Sequence, residues 1–172
     1  MAQQLENGQL TTDQATDLAR EAALRSLTAS AKSCHELSAS LARKGYPEHV
    51  VEAVIDRLNH VGLLNDRQYA QNLVRARHEE RGLARRAIAI ELSRRGIEAD
   101  IAEAALREID QASEAEAAQL LAHKLLARSR GMDSSVRIRR AASSLARKGY
   151  SPTVAFEFVK KALAAEEDQA NW

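Results

Sequence analysis

The sequence predicts an all-α protein built from three tandem three-helix repeats that form an elongated, curved array. The first reason is an internal repeat: Leu41-Ala-Arg-Lys-Gly-Tyr-Pro returns at Leu92-Ser-Arg-Arg-Gly-Ile-Glu and again at Leu145-Ala-Arg-Lys-Gly-Tyr-Ser-Pro. The second is that apolar residues keep a helical spacing on both sides of each repeated glycine. The third is the absence of strand signals, since aromatic residues are only 3% of the chain and no alternating run is bounded by a hairpin turn.

Each repeat is expected to contain a helical hairpin that turns at its glycine. Gly45, Gly96 and Gly149 each follow an Arg or Lys, which favours the negative end of a helix, and glycine at the C′ position stops the helix by adopting the left-handed conformation. The only prolines, Pro47 and Pro152, follow two or three residues later, where a fixed φ suits the start of the next helix. The second helix of the first hairpin carries one apolar face: Val50, Val51, Val54, Ile55 and Leu58.

A third helix is predicted before each hairpin, over residues 13–28, 66–80 and 114–129, which are rich in Ala, Leu, Gln, Glu and Arg. We therefore place the repeats at 13–61, 62–112 and 113–165. Residues 1–12 lack periodicity and are expected to form a disordered N-terminal tail, while 166–172 are expected to form an acidic C-terminal tail. Repeats of this size bury little surface alone and gain stability from their neighbours.

Composition limits the class of protein. The formal net charge is +1, which argues against a dedicated polyanion binder, and no apolar run reaches the length of a membrane span. The single cysteine, Cys34, cannot form an intramolecular disulfide, and the N-terminus has no hydrophobic segment typical of a signal peptide. These features favour a protein of the reducing cytoplasm that does not contact a membrane, and we expect it to be a monomer.

Charge is unevenly distributed along the chain. Residues 75–95 contain seven arginines and three acids, and residues 128–148 contain seven basic residues and one acid. Residues 98–116, between these two segments, contain seven acids and one arginine. Basic charge therefore collects on the glycine-terminated helices and before them, and such segregated charge can steer a partner.

The basic residues allow two interpretations. On the helix before Gly149, Arg137, Arg140 and Lys148 share a face adjacent to the apolar one and are expected to face solvent. In the alternative interpretation, the two basic residues that precede each glycine only stabilise the negative end of the helix. The other arginines then either form ion pairs with nearby acids or are ordinary surface residues without a partner protein.

Motifs that carry catalysis or bind metals are missing from the sequence. There is no glycine-rich phosphate loop, no cysteine pair for zinc and no Gly-x-Ser-x-Gly elbow. The five histidines are spread over separate predicted helices, and Cys34 has no base near it in the sequence. We therefore predict a protein that is not an enzyme and that uses no cofactor and no metal.

One stretch points to a family. Residues 62–70 read Gly-Leu-Leu-Asn-Asp-Arg-Gln-Tyr-Ala, and residues 73–77 read Leu-Val-Arg-Ala-Arg. This stretch closely resembles the motif of RecX regulatory proteins, which also consist of three tandem three-helix units. The resemblance extends over residues 23–163 and includes Glu36-Leu37 to Tyr46 and Arg86-Ala87 to Ile97. The third repeat departs from it, because Ala141-Ala142-Ser143-Ser144 stands where the family often has bulkier residues.

The resemblance implies a negative regulator of the RecA recombinase. Such a protein binds the RecA filament on single-stranded DNA and inhibits its ATPase, strand-exchange and coprotease activities, and it thereby modulates homologous recombination, DNA repair and the SOS response. The RecA filament is the expected partner, with single-stranded DNA inside the filament as a further contact. The basic residues expected to form this contact are Arg75, Arg77, Arg85, Arg86, Arg94, Arg95, Arg137, Arg139 and Arg140. Tyr46, Tyr69 and Tyr150 are expected to be core or inter-repeat aromatics.

Two other functions remain open from the residues themselves. Three-helix units with a basic second helix also resemble helix-turn-helix modules that bind DNA directly. A helical-repeat scaffold for some other protein fits the periodicity and charge equally well. Only the motif at residues 62–77 separates the scaffold from a RecX-like regulator.

Overall fold

The computed structural model describes the backbone of residues 10–170 and the side chains of residues 10–168. Within these residues the chain forms nine α-helices and no β-strand, which confirms the predicted all-α class. The helices are α1 (Thr12–Ala29), α2 (Cys34–Arg43), α3 (Glu48–His60), α4 (Asp66–Arg75), α5 (Arg85–Arg94), α6 (Ala99–Leu106), α7 (Gln111–Ala127), α8 (Ser134–Arg147) and α9 (Pro152–Ala170). A π-helical segment, Ala76–Glu80, directly follows α4.

Side-chain caps fix the starts of the first two helices. Thr11 and Gln14 form a reciprocal capping box at α1, and Ser33 and Glu36 form the same arrangement at α2. Each box satisfies two backbone N–H groups that the first helical turn would otherwise leave unpaired. The polar residues before each apolar stripe therefore determine where these helices begin.

The glycine corners are formed as the sequence predicts. Gly96 follows α5 with φ +71°, and Gly149 follows α8 with φ +97°, both in the left-handed region. The N–H of Ile97 reaches back to the carbonyl of Leu92, and the N–H of Tyr150 reaches back to that of Leu145, at 3.1 and 3.3 Å. These bonds satisfy carbonyls at the helix ends and turn the chain into the next helix.

The chain divides into two compact units. The first consists of the described residues through Gln71 together with Leu92–Ala102, and the second consists of Asn72–Glu91 together with the described residues from Glu103 onward. The chain passes from one unit to the other within α4, α5 and α6, so the middle predicted repeat is shared between them. The boundaries at 13–61, 62–112 and 113–165 therefore stay predictions.

Each unit has its own apolar core. In the first unit, alanines of α1 pack with the leucines of α2 and with the whole predicted apolar face of α3. In the second unit, α7, α8 and α9 contribute Leu126, Leu145 and Val159, all of which are fully buried, and Tyr150 joins them. Small alanines at the helix contacts let the helix axes approach closely and bury the larger residues around them.

The two expected tails differ in outcome. Residues 1–9 lie outside the described part of the chain, and α1 begins at Thr12. At the other end, α9 continues to Ala170, so residues 166–170 are helical rather than a tail. Glu166 forms an ion pair with Arg137, and this contact extends the packing of α9 beyond the predicted limit at residue 165.

Candidate partner-binding surface

Arg77 is held by an ion pair within the second unit. Its guanidinium donates two hydrogen bonds to the Glu91 carboxylate, each 2.8 Å long, and the side chain is only 19% exposed. Such a bidentate pair fixes both side chains. The expectation that Arg77 offers a free charge to a partner is therefore not supported by its position.

Arg95 belongs to a partly buried polar network of the first unit. It donates to Glu36 Oε1 at 2.8 Å and to the Tyr69 hydroxyl at 2.6 Å, while that hydroxyl donates to Glu36 Oε2 at 3.0 Å. The guanidinium carbon also lies 5.9 Å from the Tyr69 ring centre. Burial, followed by the neighbouring Glu36 carboxylate, raises the pKa of Tyr69 and keeps it protonated. Arg95 and Tyr69 thus link helices inside this unit.

The prediction that Arg137 faces solvent is wrong. Its side chain is 12% exposed, and it donates to the Glu166 carboxylate on α9 and to the carbonyl of Leu126 at the end of α7. A single guanidinium therefore joins α7, α8 and α9 of the second unit. Lys148, from the same predicted face, is also partly buried, whereas Arg140 is exposed as expected.

The remaining six predicted contact residues are exposed. Arg75 is 58% exposed and pairs with Glu108 at 3.2 Å, an arrangement that contributes little stability because water screens it. The other five form no ion pair with any residue between 10 and 168 and are Arg85, Arg86, Arg94, Arg139 and Arg140. Arg94 lies in the first unit, and the other four lie in the second.

Four of these five arginines lie on two helices of the second unit, α5 and α8. Arg85 and Arg86 open α5, where the backbone N–H of Arg85 donates to Glu114 Oε1 at 2.7 Å. A carboxylate at that position satisfies a free N–H and the positive end of the helix. Arg139 and Arg140 lie in the middle of α8 and are exposed, whereas Ala141, Ala142 and Leu145 of the same helix are buried.

The glycine corners also serve as packing sites, which sequence reasoning missed. In the first unit, Ser33 donates to the carbonyl of Arg95 at 2.6 Å, and a Cβ on Gly96 would lie 2.3 Å from His35 Cγ. We call this contact the first junction. The start of an earlier helix thus packs against a corner glycine, which has no side chain to obstruct it.

An equivalent contact occurs inside the second unit. The N–H of Ala84 donates to the carbonyl of Lys148 at 2.9 Å, and a Cβ on Gly149 would lie 2.7 Å from the Cβ of Ala87. The Tyr150 hydroxyl donates to the carbonyl of Gly82 at 3.1 Å, and burial raises the pKa of Tyr150 to about 12. We call this contact the second junction.

Comparison with known proteins identifies the family. Residues 19–58 match the model of the RecX first three-helix domain, and residues 65–106 match that of the RecX second three-helix domain. Over 148 residues the chain is 42% identical to Regulatory protein RecX of Streptomyces coelicolor, covering 86% of this chain and 79% of that protein. The chain belongs to the RecX family. Regulatory protein RecX of Thermobifida fusca is 41% identical over 148 residues, covering 86% of this chain and 80% of that one.

Solved RecX structures share the fold. The crystal structure of RecX from Lactobacillus salivarius has a TM-score of 0.72 and 25% sequence identity to this chain, covering 86% of this chain and 96% of that one. The two RecX domain models coincide with α1–α3 and α4–α6. The tandem three-helix architecture predicted from the repeat is thereby confirmed, and so is the resemblance carried by residues 62–77.

Cys34 is the only cysteine of this RecX family member, and it is partly buried. Cys34 Sγ contacts the Asn59 amide oxygen at 3.3 Å, and burial raises the pKa of its thiol, so the nucleophilic thiolate is disfavoured at neutral pH. No group of three or more possible metal ligands is found among residues 10–168. No helix in the described part of the chain is long and apolar enough to cross a membrane.

Proposed function

We propose that this protein binds the RecA filament on single-stranded DNA and inhibits its ATPase, strand-exchange and coprotease activities, thereby modulating DNA repair and the SOS response. The observation that carries this proposal is the 42% identity to a protein named Regulatory protein RecX over most of both chains. We further propose that it acts in the cytoplasm as a monomer, without catalytic chemistry or a cofactor of its own.

Four exposed arginines of the second unit, Arg85, Arg86, Arg139 and Arg140, are the proposed contact surface, and Arg94 of the first unit is a separate proposed contact. Their charges are already in water and have no carboxylate partner among the described side chains, so binding an acidic surface or a DNA phosphate breaks no existing pair. Arg77, Arg95 and Arg137 differ, because their recruitment would leave a partly buried carboxylate unpaired. We therefore assign these three to the fold and the exposed five to the partner.

The test combines charge reversal with a filament assay. The double variant Arg86→Glu and Arg139→Glu should keep the helicity of the wild type, because both side chains are exposed, but should lose inhibition of DNA-dependent ATP hydrolysis by preassembled RecA filaments. Wild-type protein, added well below the RecA concentration, should suppress that hydrolysis. Reversing two surface charges disfavours docking on an acidic or phosphate-bearing surface by about 3 kcal/mol, on the order of a hundredfold in affinity.

A matched control separates position from net charge. Arg57→Glu with Lys160→Glu makes the same charge change at two exposed residues outside the proposed surface and should inhibit as wild type does. Full inhibition by the folded Arg86/Arg139 variant would reject the contact surface, and unchanged hydrolysis with equimolar wild-type protein would reject the function. Binding to naked DNA with a salt slope of about −0.9 per phosphate would instead favour a direct DNA-binding protein.

A further inference from the structure

The first turn of α5 is capped by residues from other helices of the second unit. The N–H groups at the start of a helix have no partner inside it, and a Ser, Thr, Asn or Asp before the helix usually accepts one of them. The residue before α5 is Ala84, whose side chain has no acceptor. Its N–H donates to the carbonyl of Lys148 at 2.9 Å, and the N–H of Arg85 donates to Glu114 Oε1 at 2.7 Å. The start of α5 therefore depends on α7 and on the end of α8.

Glu114 supplies the carboxylate of this cap from the first turn of α7. It lines the same groove, of about 840 Å³, as Arg85 and Arg86. It nevertheless forms no ion pair with either arginine or with any other side chain of residues 10–168. The carboxylate thus binds the backbone of α5 and stabilises the positive end of that helix, while both guanidinium groups stay available to a partner.

We propose that Glu114 is a positioning residue of the contact surface: its carboxylate fixes the first turn of α5, from which Arg85 and Arg86 project. This role rests on the proposed function, because it requires that these arginines meet the filament. A frayed first turn would leave two long side chains on a mobile backbone, and ordering them on binding would cost affinity. Glu114 removes part of that cost in the free protein.

The negative charge of Glu114 has an effect of the opposite sign, which makes the proposal testable. An acidic or phosphate-bearing partner surface repels a carboxylate beside the two arginines. If Glu114 were only a surface acid, its removal would strengthen inhibition, whereas removal of a positioning residue weakens inhibition. Glutamine separates the two effects, because its amide oxygen still accepts the Arg85 N–H but carries no charge.

The test measures DNA-dependent ATP hydrolysis by preassembled RecA filaments at increasing concentrations of the full-length protein. For Glu114→Ala, the concentration that gives half inhibition should rise about threefold to tenfold, while inhibition at saturation stays complete. Glu114→Gln should inhibit at least as well as wild type. Glu116→Ala is the matched control, because it removes an exposed carboxylate two residues away on the same helix, and it should not weaken inhibition.

A double-mutant cycle shows whether Glu114 acts through the two arginines. In a background that carries Arg85→Ala and Arg86→Ala, Glu114→Ala should no longer raise the half-inhibition concentration, because the side chains that it positions are gone. A general loss of stability would act in this background as well. An equal rise in both backgrounds would therefore overturn the proposal.

Hydrogen exchange, measured by NMR on the free protein, tests the cap without RecA. The Arg85 amide should exchange about fivefold faster in Glu114→Ala than in wild type, and Glu114→Gln should keep most of the protection. Unchanged exchange at Arg85, or stronger inhibition by Glu114→Ala, would reject the positioning role alone. Failure of the wild-type protein to inhibit would reject the proposed function, and the positioning role with it, whatever the exchange rate.

Discussion

Replacing Arg137 with alanine should lower the free energy of unfolding by about 2–4 kcal/mol, although the sequence places this arginine in a basic surface cluster. The guanidinium joins three helices of the second unit through the Glu166 carboxylate and the carbonyl of Leu126. Removing it leaves a carboxylate that is 19% exposed without its counter-ion and leaves the carbonyl without that donor. The alanine also leaves unfilled space where the arginine stem packed.

Urea unfolding, followed by circular dichroism, measures this effect. Arg139→Ala is the matched control, because Arg139 lies two residues away on the same helix, is exposed and has no ion pair with any described residue. Its substitution should change the unfolding free energy by no more than about 0.5 kcal/mol. Equal stability of the two variants would mean that the Arg137 pair does not hold the helices together.

The helices of this fold could be predicted because their periodicity depends only on local sequence. The five apolar residues predicted for one face of α3 are all buried, from Val50 to Leu58. Helix ends were also predictable, because a glycine after a basic residue has a local reason to stop a helix. The left-handed conformations at Gly96 and Gly149 follow directly from that reasoning.

The partners of the arginines could not be predicted in the same way. Arg137 and Arg139 have similar neighbours in the sequence, yet one pairs with Glu166 and the other is exposed. That partner is 29 residues away on a helix expected to end at residue 165, so no local pattern connects the two. Ion pairs between helices depend on packing, and periodicity does not specify which side chain meets which.

The two junctions could be predicted only in part from the sequence. Ser33 and Ala84 each lie twelve residues before the glycine of their own repeat, and each donates to the carbonyl one residue before the next glycine. Alignment of the repeats places Ser33 and Ala84 at equivalent positions. It does not show that the start of one helix packs on the following corner, because that contact joins residues about 62 positions apart in the first junction.

Gly96→Ala should destabilise the first unit by about 2–5 kcal/mol, more than the conformation of the glycine alone explains. The left-handed backbone costs an alanine about 1–2 kcal/mol, and forcing a methyl group into a filled site costs a further 1–3. The added Cβ would lie 2.3 Å from His35 Cγ and 2.4 Å from His35 Cβ. Because a Cβ atom is fixed to the backbone, a change of rotamer cannot remove the second contact.

Gly62→Ala isolates the conformational part of this cost. Gly62 has φ +75°, close to the +71° of Gly96, but nothing lies within 4 Å of the position its Cβ would take. Its substitution should therefore cost only about 1–2 kcal/mol in urea unfolding. Equal losses for the two variants would show that the first junction tolerates a side chain.

A double-mutant cycle then assigns the remainder to the contact with His35. In a His35→Ala background, the cost of Gly96→Ala should fall only in part, because the Cβ of residue 35 is retained. In a His35→Gly background all three close atoms, His35 Cβ, Cγ and Cδ2, are gone, so that cost should approach the one measured for Gly62→Ala. The cost of Gly96→Ala should therefore be largest in the wild type, smaller in the His35→Ala background and smallest in the His35→Gly background. The cycle subtracts the effect of each residue 35 substitution alone, so a general loss of helix stability would not produce this order.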